Sequence, residues 1–358
     1  MEYLKKLVEI PSYESTDEIL NFIKNEMNER VEEVKIVEEN GIKALLVGIN
    51  TKLYDISPLI LMGHIDTVKA NIELYDTNPF VLTEKDGKLF GLGTIDMKSF
   101  TAIVLENLDK LKKIKVPLVF CLSTDEETLN HSMRAAISWL KKLKITPKFT
   151  IVGEPTNQNF SLYSKADYEY KVEFFGKSSH SSKPSMGINA ICASAKLVTF
   201  IENQSKKYKI TSNPGIIKGG GVINIVPDYA ELSFDIRSIY SNEIDAFLND
   251  IKNELQNLEI EYSGLKCNLE NISVLPAFNN EDEKIKKIAK TLDLNFYDFT
   301  GGTEAGFFTE YSGQAVIFGV GDLKLAHKPN EYVVKNEYYE YSQKLFLLID
   351  EIIKAYFN

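Results

Sequence analysis

Apolar residues recur along this chain in two rhythms, and the switch between them outlines its organisation. Residues 1–9 carry a helical pattern stopped by Pro11, and Ile19, Phe22, Ile23 and Met27 continue at helical spacing. Ser15 and Glu18 stand three apart ahead of that run, the spacing of a capping box. The segments VEEVKIVEE and KALLVGI then read as strands, followed by the apolar run LILMGHIDTV (59–68). A Gly-rich turn in FGLGTIDMKSF (90–100) leads into a helix predicted to run to about Leu111. VPLVFCLST (116–124) and FTIVGEPT (149–156) are further apolar runs, separated by a helix over about 133–143. Continuous apolar strands alternating with helices predict a mostly parallel α/β sheet covered on both faces.

The rhythm changes near Tyr168. YEYKVEFFG alternates polar and apolar positions, as a half-covered antiparallel strand does. A helix over about 188–202, two strand segments, a helix over about 242–255 and the segment LEIEYSGLKCNLENISV complete the order βαββαβ. The expectation is an inserted ferredoxin-like lid at 165–274, with 1–164 and 275–358 forming one flanking domain. The returning part holds a helix over about 283–292, a buried strand at 314–321 and a closing amphipathic helix over about 337–356.

The ends of the strands carry the chemistry. Three apolar runs end in His64, in Glu126-Glu127 and in Glu154. Asp96 sits in the Gly-rich turn, and His327 in the loop after the strand at 314–321. Ligands of open α/β sheets bind outside the carboxyl ends of the strands, so acids and imidazoles gathered there suggest a site. Asp66 follows His64 by two positions, on the same side of an extended segment, where a carboxylate can orient a metal-ligating imidazole. Two imidazoles and three carboxylates (His64, Asp96, Glu127, Glu154, His327) suit zinc or a similar divalent ion. They exceed one tetrahedral site with an open position, and two ions sharing one carboxylate would use them all.

Composition narrows the class. Acidic residues number 51 against 41 basic ones, a formal charge of −10, which argues against nucleic acid or an acidic membrane as partner. The cysteines at 121, 192 and 267 are widely spaced and read as reduced thiols. The amphipathic N-terminal stretch lacks a signal-type apolar core, and no run reaches the ~20 apolar residues of a membrane span, so a cytoplasmic location is expected.

Seven segments in order, GHIDTV (63–68), GTIDMK (93–98), TDEE (124–127), VGEPT (152–156), GKSSHSSKPSMGINAI (176–191), INIVPDYAELSFDIR (223–237) and AHKPNEY (326–332), make the chain resemble the M20 metallopeptidase family of deacylases and carboxypeptidases. The resemblance implies a zinc-binding α/β domain with an inserted βαββαβ lid. It implies that His64 and Glu154 hold one Zn2+, that Glu127 and His327 hold the other, and that Asp96 bridges them. Co2+ is a possible substitute for zinc. Glu126 would be the general base and Asp66 the orienter of His64. His180 in the lid would complete oxyanion stabilisation, reaching the partner's site in dimeric relatives, and a homodimer through the lid is the corresponding expectation. Asn224 and Arg237 match positions that bind the substrate's carboxylate side.

The chain departs from the family pattern at Leu92, Ser99, the Thr-Leu-Asn-His turn after the acidic pair, and Lys165-Ala166. None of these removes a ligand. GGTEAGFF (301–308) and the following IFGVGDLKLAHKPNEYV resemble the acetylornithine deacetylase branch, with Glu304 a candidate partner for a substrate amine or a helix-start cap. Desuccinylation of succinyl-diaminopimelate, deacetylation of N-acetyl-lysine and dipeptide hydrolysis stay open as alternatives; a small N-acyl amino acid is the expected partner. A non-catalytic binding protein is disfavoured, because all five ligands and Glu126 are present. Gly219-Gly220-Gly221 lacks the Lys-Ser/Thr of a phosphate loop, and His131 reads as a helix-start residue.

Overall fold

The computed structural model describes residues 1–53, 55–311 and 313–357. The chain forms two compact units, Met1–Ser164 with Phe278–Asn358, and Lys165–Ala277.

From the N-terminus, the first unit contains α1 (Glu2–Glu9), α2 (Asp17–Asn28), β1 (Glu33–Glu39), β2 (Ile42–Ile49), β3 (Leu59–His64), α3 (Lys98–Glu106), β4 (Leu118–Ser123), α4 (Ser132–Lys142) and β5 (Phe149–Val152). The second unit contributes β6 (Ala166–Phe175), α5 (Ala190–Gln204), β7 (Thr211–Gly219), β8 (Tyr229–Ser238), α6 (Ser241–Glu261) and β9 (Lys266–Leu275). The chain then returns through α7 (Glu283–Thr291), α8 (Ala305–Tyr311), β10 (Ala315–Ile317) and α9 (Lys335–Tyr356).

Among the described residues the main sheet has the order β1-β2-β4-β3-β5-β10. The four strands from β4 to β10 run parallel, and β1 and β2 are antiparallel additions at one edge. Every residue of β3, β4 and β5 is buried, as continuous apolar strands between two helical layers should be. After β3 the chain goes to β4 on one side and then crosses to β5 on the other. This reversal makes the carboxyl ends of β3 and β5 a topological switch point, where such sheets leave a crevice. Phe100 of α3 packs against that point. A Cβ on Gly153 would lie 2.1 Å from the Phe100 ring, so only glycine admits the helix so close to the end of β5. The turn immediately before α3 is therefore held at the strand ends, and it carries Asp96.

The second unit is a four-stranded antiparallel sheet of order β7-β8-β6-β9 with α5 and α6 packed on it. Its own core includes Val172, Phe174, Leu197, Leu232, Phe247 and Ile251. Alternating burial along β8 matches its half-covered position.

Local expectations differ from the structure in four places. The helix behind Ser15 begins at Asp17 with Thr16 as N-cap, and no side chain caps it. Ser15 Oγ instead accepts from the Asp17 N–H at 3.3 Å, closing a short turn rather than a capping box. The helix after Asp96 breaks at Asn107, whose side-chain amide donates to the Ile103 carbonyl at 2.9 Å. LEIE belongs to the end of α6, because Leu255 and Leu258 continue that helix's buried face. The strand expected at 314–321 spans only Ala315–Ile317, since Phe318 onward turns to the strand edge beside Glu154. No helix among the described residues is long and apolar enough to cross a membrane.

Candidate metal centre

His64 ends β3 and is 0 % exposed. Its Nδ1 lies 3.1 Å from the Asp66 backbone oxygen and 3.5 Å from Asp66 Oδ1. A proton on Nδ1 is thus donated to Asp66, which leaves Nε2 as the ligand atom. The carbonyl is the nearer acceptor, so the residue orients the ring mainly through its backbone. The Asp66 carboxylate also acts elsewhere. Its Oδ2 accepts the Glu127 N–H at 2.9 Å and ties the acidic loop to the end of β3.

Asp96 connects the two histidines. Its Oδ1 is 2.8 Å from His64 Nε2 and its Oδ2 is 3.2 Å from His327 Nε2. His327 Nε2 also lies 2.9 Å from the Glu127 carboxylate, and Glu154 Oε1 lies 3.8 Å from His64 Nε2. Ligand atoms of His64, Glu126 and Glu154 lie within 4.8 Å of one another, and so do those of His64, Asp96 and Glu127. The adjacent residues Glu126 and Glu127 therefore face different neighbours. The aim comes from the loop: the Asp125 carbonyl accepts from Thr128, Leu129 and Asn130, and its carboxylate accepts from the His131 and Ser132 amides. His131 is accordingly a helix-start residue, the N-cap of α4.

The electrostatics are those of an anion cluster around two imidazoles. Burial pushes the Glu126 and Glu154 carboxyls well up, and neighbouring carboxylates add to that against the pull of His64. Burial also raises Glu127, although the His327 hydrogen bond opposes it. Burial disfavours charge on His64, yet Asp66, Asp96 and Glu154 hold its pKa well above the ordinary imidazole value. Hydrogen bonds to Asp96 and Glu127 push His327 up to about 11. For Asp96 burial works upward, but His327 and His64 win and hold it low.

This donor set fits a pair of divalent ions. One carboxylate turns its two oxygens to different imidazoles, each imidazole faces a further carboxylate, and the groups are mostly buried. Ions of charge +2 would relieve the repulsion that now favours protonation. His64, Asp96 and Glu154 would hold one ion, and Asp96, Glu127 and His327 the other.

Two residues show why the Asp96 turn is rigid, and neither stands out in the sequence. Buried Glu331 accepts from the amides of Gly93, Ile95 and Asp96. Lys98, also buried, donates to the Leu7 and Ile10 carbonyls at 2.9 Å and anchors the end of α1 beneath the turn. Burial lowers Lys98 to about 7 and raises Glu331 to about 7. The only signal for either was a charged residue inside a motif; periodicity does not mark it.

Glu304, at 0 % exposure, lies beneath the acidic loop. The Ser123 hydroxyl donates to its Oε2 at 2.6 Å, and burial, reinforced by the Glu126 charge, pushes its pKa well up. The remaining candidates lie in the second unit. His180 Nδ1 faces Ser182, and the Ser181 amide donates to the Asn224 carbonyl at 3.0 Å, so the His180 and Asn224 segments are neighbours there. Arg237 pairs with Asp167 at 2.8 Å and Asp235 at 2.9 Å.

Comparisons with known proteins agree with this geometry. Residues 60–351 match Peptidase family M20/M25/M40. The chain is similar to an acetylornithine deacetylase of Buchnera aphidicola subsp. Acyrthosiphon pisum (strain Tuc7), with 29 % identity over 93 % of this chain and 92 % of that protein. Its fold is similar to that of an M20 family metallo-carboxypeptidase from Sulfolobus solfataricus, with TM-score 0.75, 17 % identity and coverage of 99 % and 98 % of the two chains. It is also similar to a dinuclear metal-binding M20 peptidase of Bacillus subtilis, with TM-score 0.69, 15 % identity and coverage of 99 % and 97 %. The chain belongs to the M20/M25/M40 peptidase family and is a metal-dependent amide hydrolase.

Proposed function

We propose that the protein is a two-metal deacetylase that hydrolyses N2-acetyl-L-ornithine to L-ornithine and acetate, a step of arginine biosynthesis. The observation that carries the two-metal reading is the divided carboxylate of Asp96, 2.8 Å from one imidazole and 3.2 Å from the other. The substrate rests on the similarity to an acetylornithine deacetylase along 93 % of the chain and on the GGTEAGFF segment.

When bound, the ions, which we take to be zinc, polarise the scissile carbonyl and make a water nucleophilic near neutral pH. His64 and Glu154 would hold one ion, Glu127 and His327 the other, and Asp96 would serve both. Glu126 takes the proton of the attacking water and delivers it to the leaving nitrogen. Its place beside His64 and Glu154 suits that role, because a general base must lie within hydrogen-bond reach of the proton it takes. Asp66 keeps the His64 ring in the required tautomer.

Asn224 and Arg237 are proposed for the carboxylate side of the substrate. Arg237 already has two aspartate partners, so it would exchange one of them for the incoming carboxylate. Asp167 is the candidate for release, because burial raises it to about 6 against the pull of Arg237. Glu304, the candidate for the substrate amine, is fully enclosed, so direct contact would require the Ser123 side of the site to open. The cytoplasm is the proposed compartment, and a homodimer through the lid the proposed assembly.

Hydrolysis of acetylornithine, N-acetyl-lysine, succinyl-diaminopimelate and simple dipeptides, each with added zinc or cobalt, tests the substrate. Acetylornithine should give the highest kcat/KM by at least roughly tenfold, a gap of about 1.4 kcal/mol in transition-state binding. A dipeptide or the succinyl substrate in first place would overturn this choice and leave the hydrolase reading intact. His180 is proposed as a donor to the developing oxyanion. His180→Ala should lower kcat by about 10²–10³ with KM little changed, and a rise in KM alone would remove it from that role.

A further inference from the structure

Glu331 ligates nothing in the proposed centre, yet it is 2 % exposed and reaches the backbone of the bridging residue. Oε1 accepts the Ile95 N–H at 2.6 Å and the Asp96 N–H at 3.2 Å, and Oε2 accepts the Gly93 N–H at 3.0 Å. The two backbones are joined at the same place. The Gly91 N–H donates to the Glu331 carbonyl at 3.1 Å, and Tyr332–Val334 pairs antiparallel with Lys88–Phe90.

His327 lies four residues before Glu331 in the same loop. It has φ +58°, and Asn330 has φ +62°. Side chains with a Cβ adopt this left-handed region at a cost, and such residues persist where their surroundings over-determine them. Here the surroundings include the Asn330 side chain, whose Oδ1 accepts the Asp76 N–H at 2.8 Å, and the Glu331 carboxylate. One loop thus supplies a proposed ligand and clamps the turn that supplies another.

We propose that Glu331 is a positioning residue, which holds the Asp96 turn and the His327 loop as one rigid unit and so forms the metal position shared by Asp96, Glu127 and His327. This rests on the reading of Asp96 and His327 as ligands. A carboxylate suits this role because it accepts at both ends, and charge-assisted bonds to N–H groups are the strong ones. Glutamine presents an NH2 at one end, opposed to a backbone N–H. Aspartate keeps the charge but is one methylene too short to span Gly93 and Ile95. Metal–ligand distances tolerate only about 0.2 Å, so a loosened turn registers in ion affinity.

The test uses the full chain, zinc as the probe and a competing chelator, at a temperature well below unfolding. Wild type is compared with Glu331→Gln, Glu331→Asp, Asp96→Asn and Lys335→Ala. Lys335 pairs with Glu84 at 2.7 Å on the surface of the same ribbon, away from the clamp. Both Glu331 variants should hold one ion where wild type holds two, the second weakened by about 10–100-fold. Their kcat should fall with little change in KM. In the metal-free proteins the amides of Ile95 and Asp96 should exchange faster with solvent, and Lys335→Ala should match wild type throughout. If Glu331→Gln does not fold, Glu331→Asp carries the comparison alone.

Wild-type affinity for both ions in the Glu331 variants, with unchanged amide protection, would overturn the proposal. Asp96→Asn separates the two readings. If it keeps both ions at full affinity, the assignment of Asp96 as a ligand is wrong. If it loses ions while the Glu331 variants keep theirs, only the role of Glu331 is wrong.

Discussion

Glu126→Ala is expected to retain two metal ions per chain and to lose about 10²–10⁴-fold in kcat, the usual contribution of a positioned acid–base group. The expectation comes from where the side chain stands. Glu126 is half-buried, and its carboxylate shares a 4.8 Å group with His64 and Glu154. Its neighbour Glu127 is committed elsewhere, 2.9 Å from His327. Removing Glu126 leaves the divided carboxylate of Asp96 and both imidazoles in place, so the ions keep their ligands while the water loses its proton acceptor. Glu126→Gln should behave in the same way, because an amide of equal size cannot take the proton. Metal content and kcat decide the matter together. Unchanged kcat would remove Glu126 from catalysis, and loss of an ion along with activity would make it a ligand.

Stripping the metal with a chelator should reduce turnover to background, and zinc or cobalt should restore it. The centre has His64, Asp96, Glu127, Glu154 and His327 turned toward one another, with no fixed cation from Lys or Arg bonded to these carboxylates among the described residues. Nothing else in that arrangement polarises a carbonyl. Stability should move with activity. An ion that binds only the folded chain adds RT ln(1 + [M]/Kd), about 2.7 kcal/mol for one site at a hundredfold excess over Kd. The melting temperature should therefore rise with metal concentration, and the shift should shrink toward low pH, where protons compete for the same carboxylates and imidazoles. Full activity after exhaustive removal of metal, or a melting point indifferent to zinc, would overturn the two-ion reading.

Much of the frame was legible because burial leaves a mark on composition. β3, β4 and β5 are buried on both faces, so each reads as an unbroken apolar run, and the polar residue that ends the run is conspicuous. That is how His64, Glu126, Glu127 and Glu154 could be picked out one strand at a time. The two-residue rhythm of β6 and β8 likewise marks a sheet with one face covered. Local detail was less legible where two close geometries compete. Ser15 and Glu18 have capping-box spacing, yet Ser15 closes a turn one step earlier. The strand at Ala315–Ile317 ends sooner than its apolar sequence: the Phe318 N–H makes a last bond to the Val152 carbonyl at 2.8 Å, and Val320 is buried by packing outside the strand.

Sequence alone determined the class of this protein: an α/β sheet with candidate metal ligands at its strand ends, an inserted βαββαβ segment, and the ordered motifs of a metal-dependent amide hydrolase. These are properties of short segments, where the period of apolar residues and the identity of the terminating residue suffice. Tertiary structure decided which way each side chain is aimed. It turned Glu126 and Glu127 to different neighbours and divided the oxygens of Asp96 between His64 and His327. It gave Asp66 a second bond, to the Glu127 amide, and enclosed Glu304 under Ser123. It also set Glu331 against a turn 235 residues away in sequence from its own position. Hydrogen bonds of that kind depend on angles and on distances near 3 Å between segments remote in the chain. No local pattern encodes them; they exist once the strands, α3 and the returning loop have packed together.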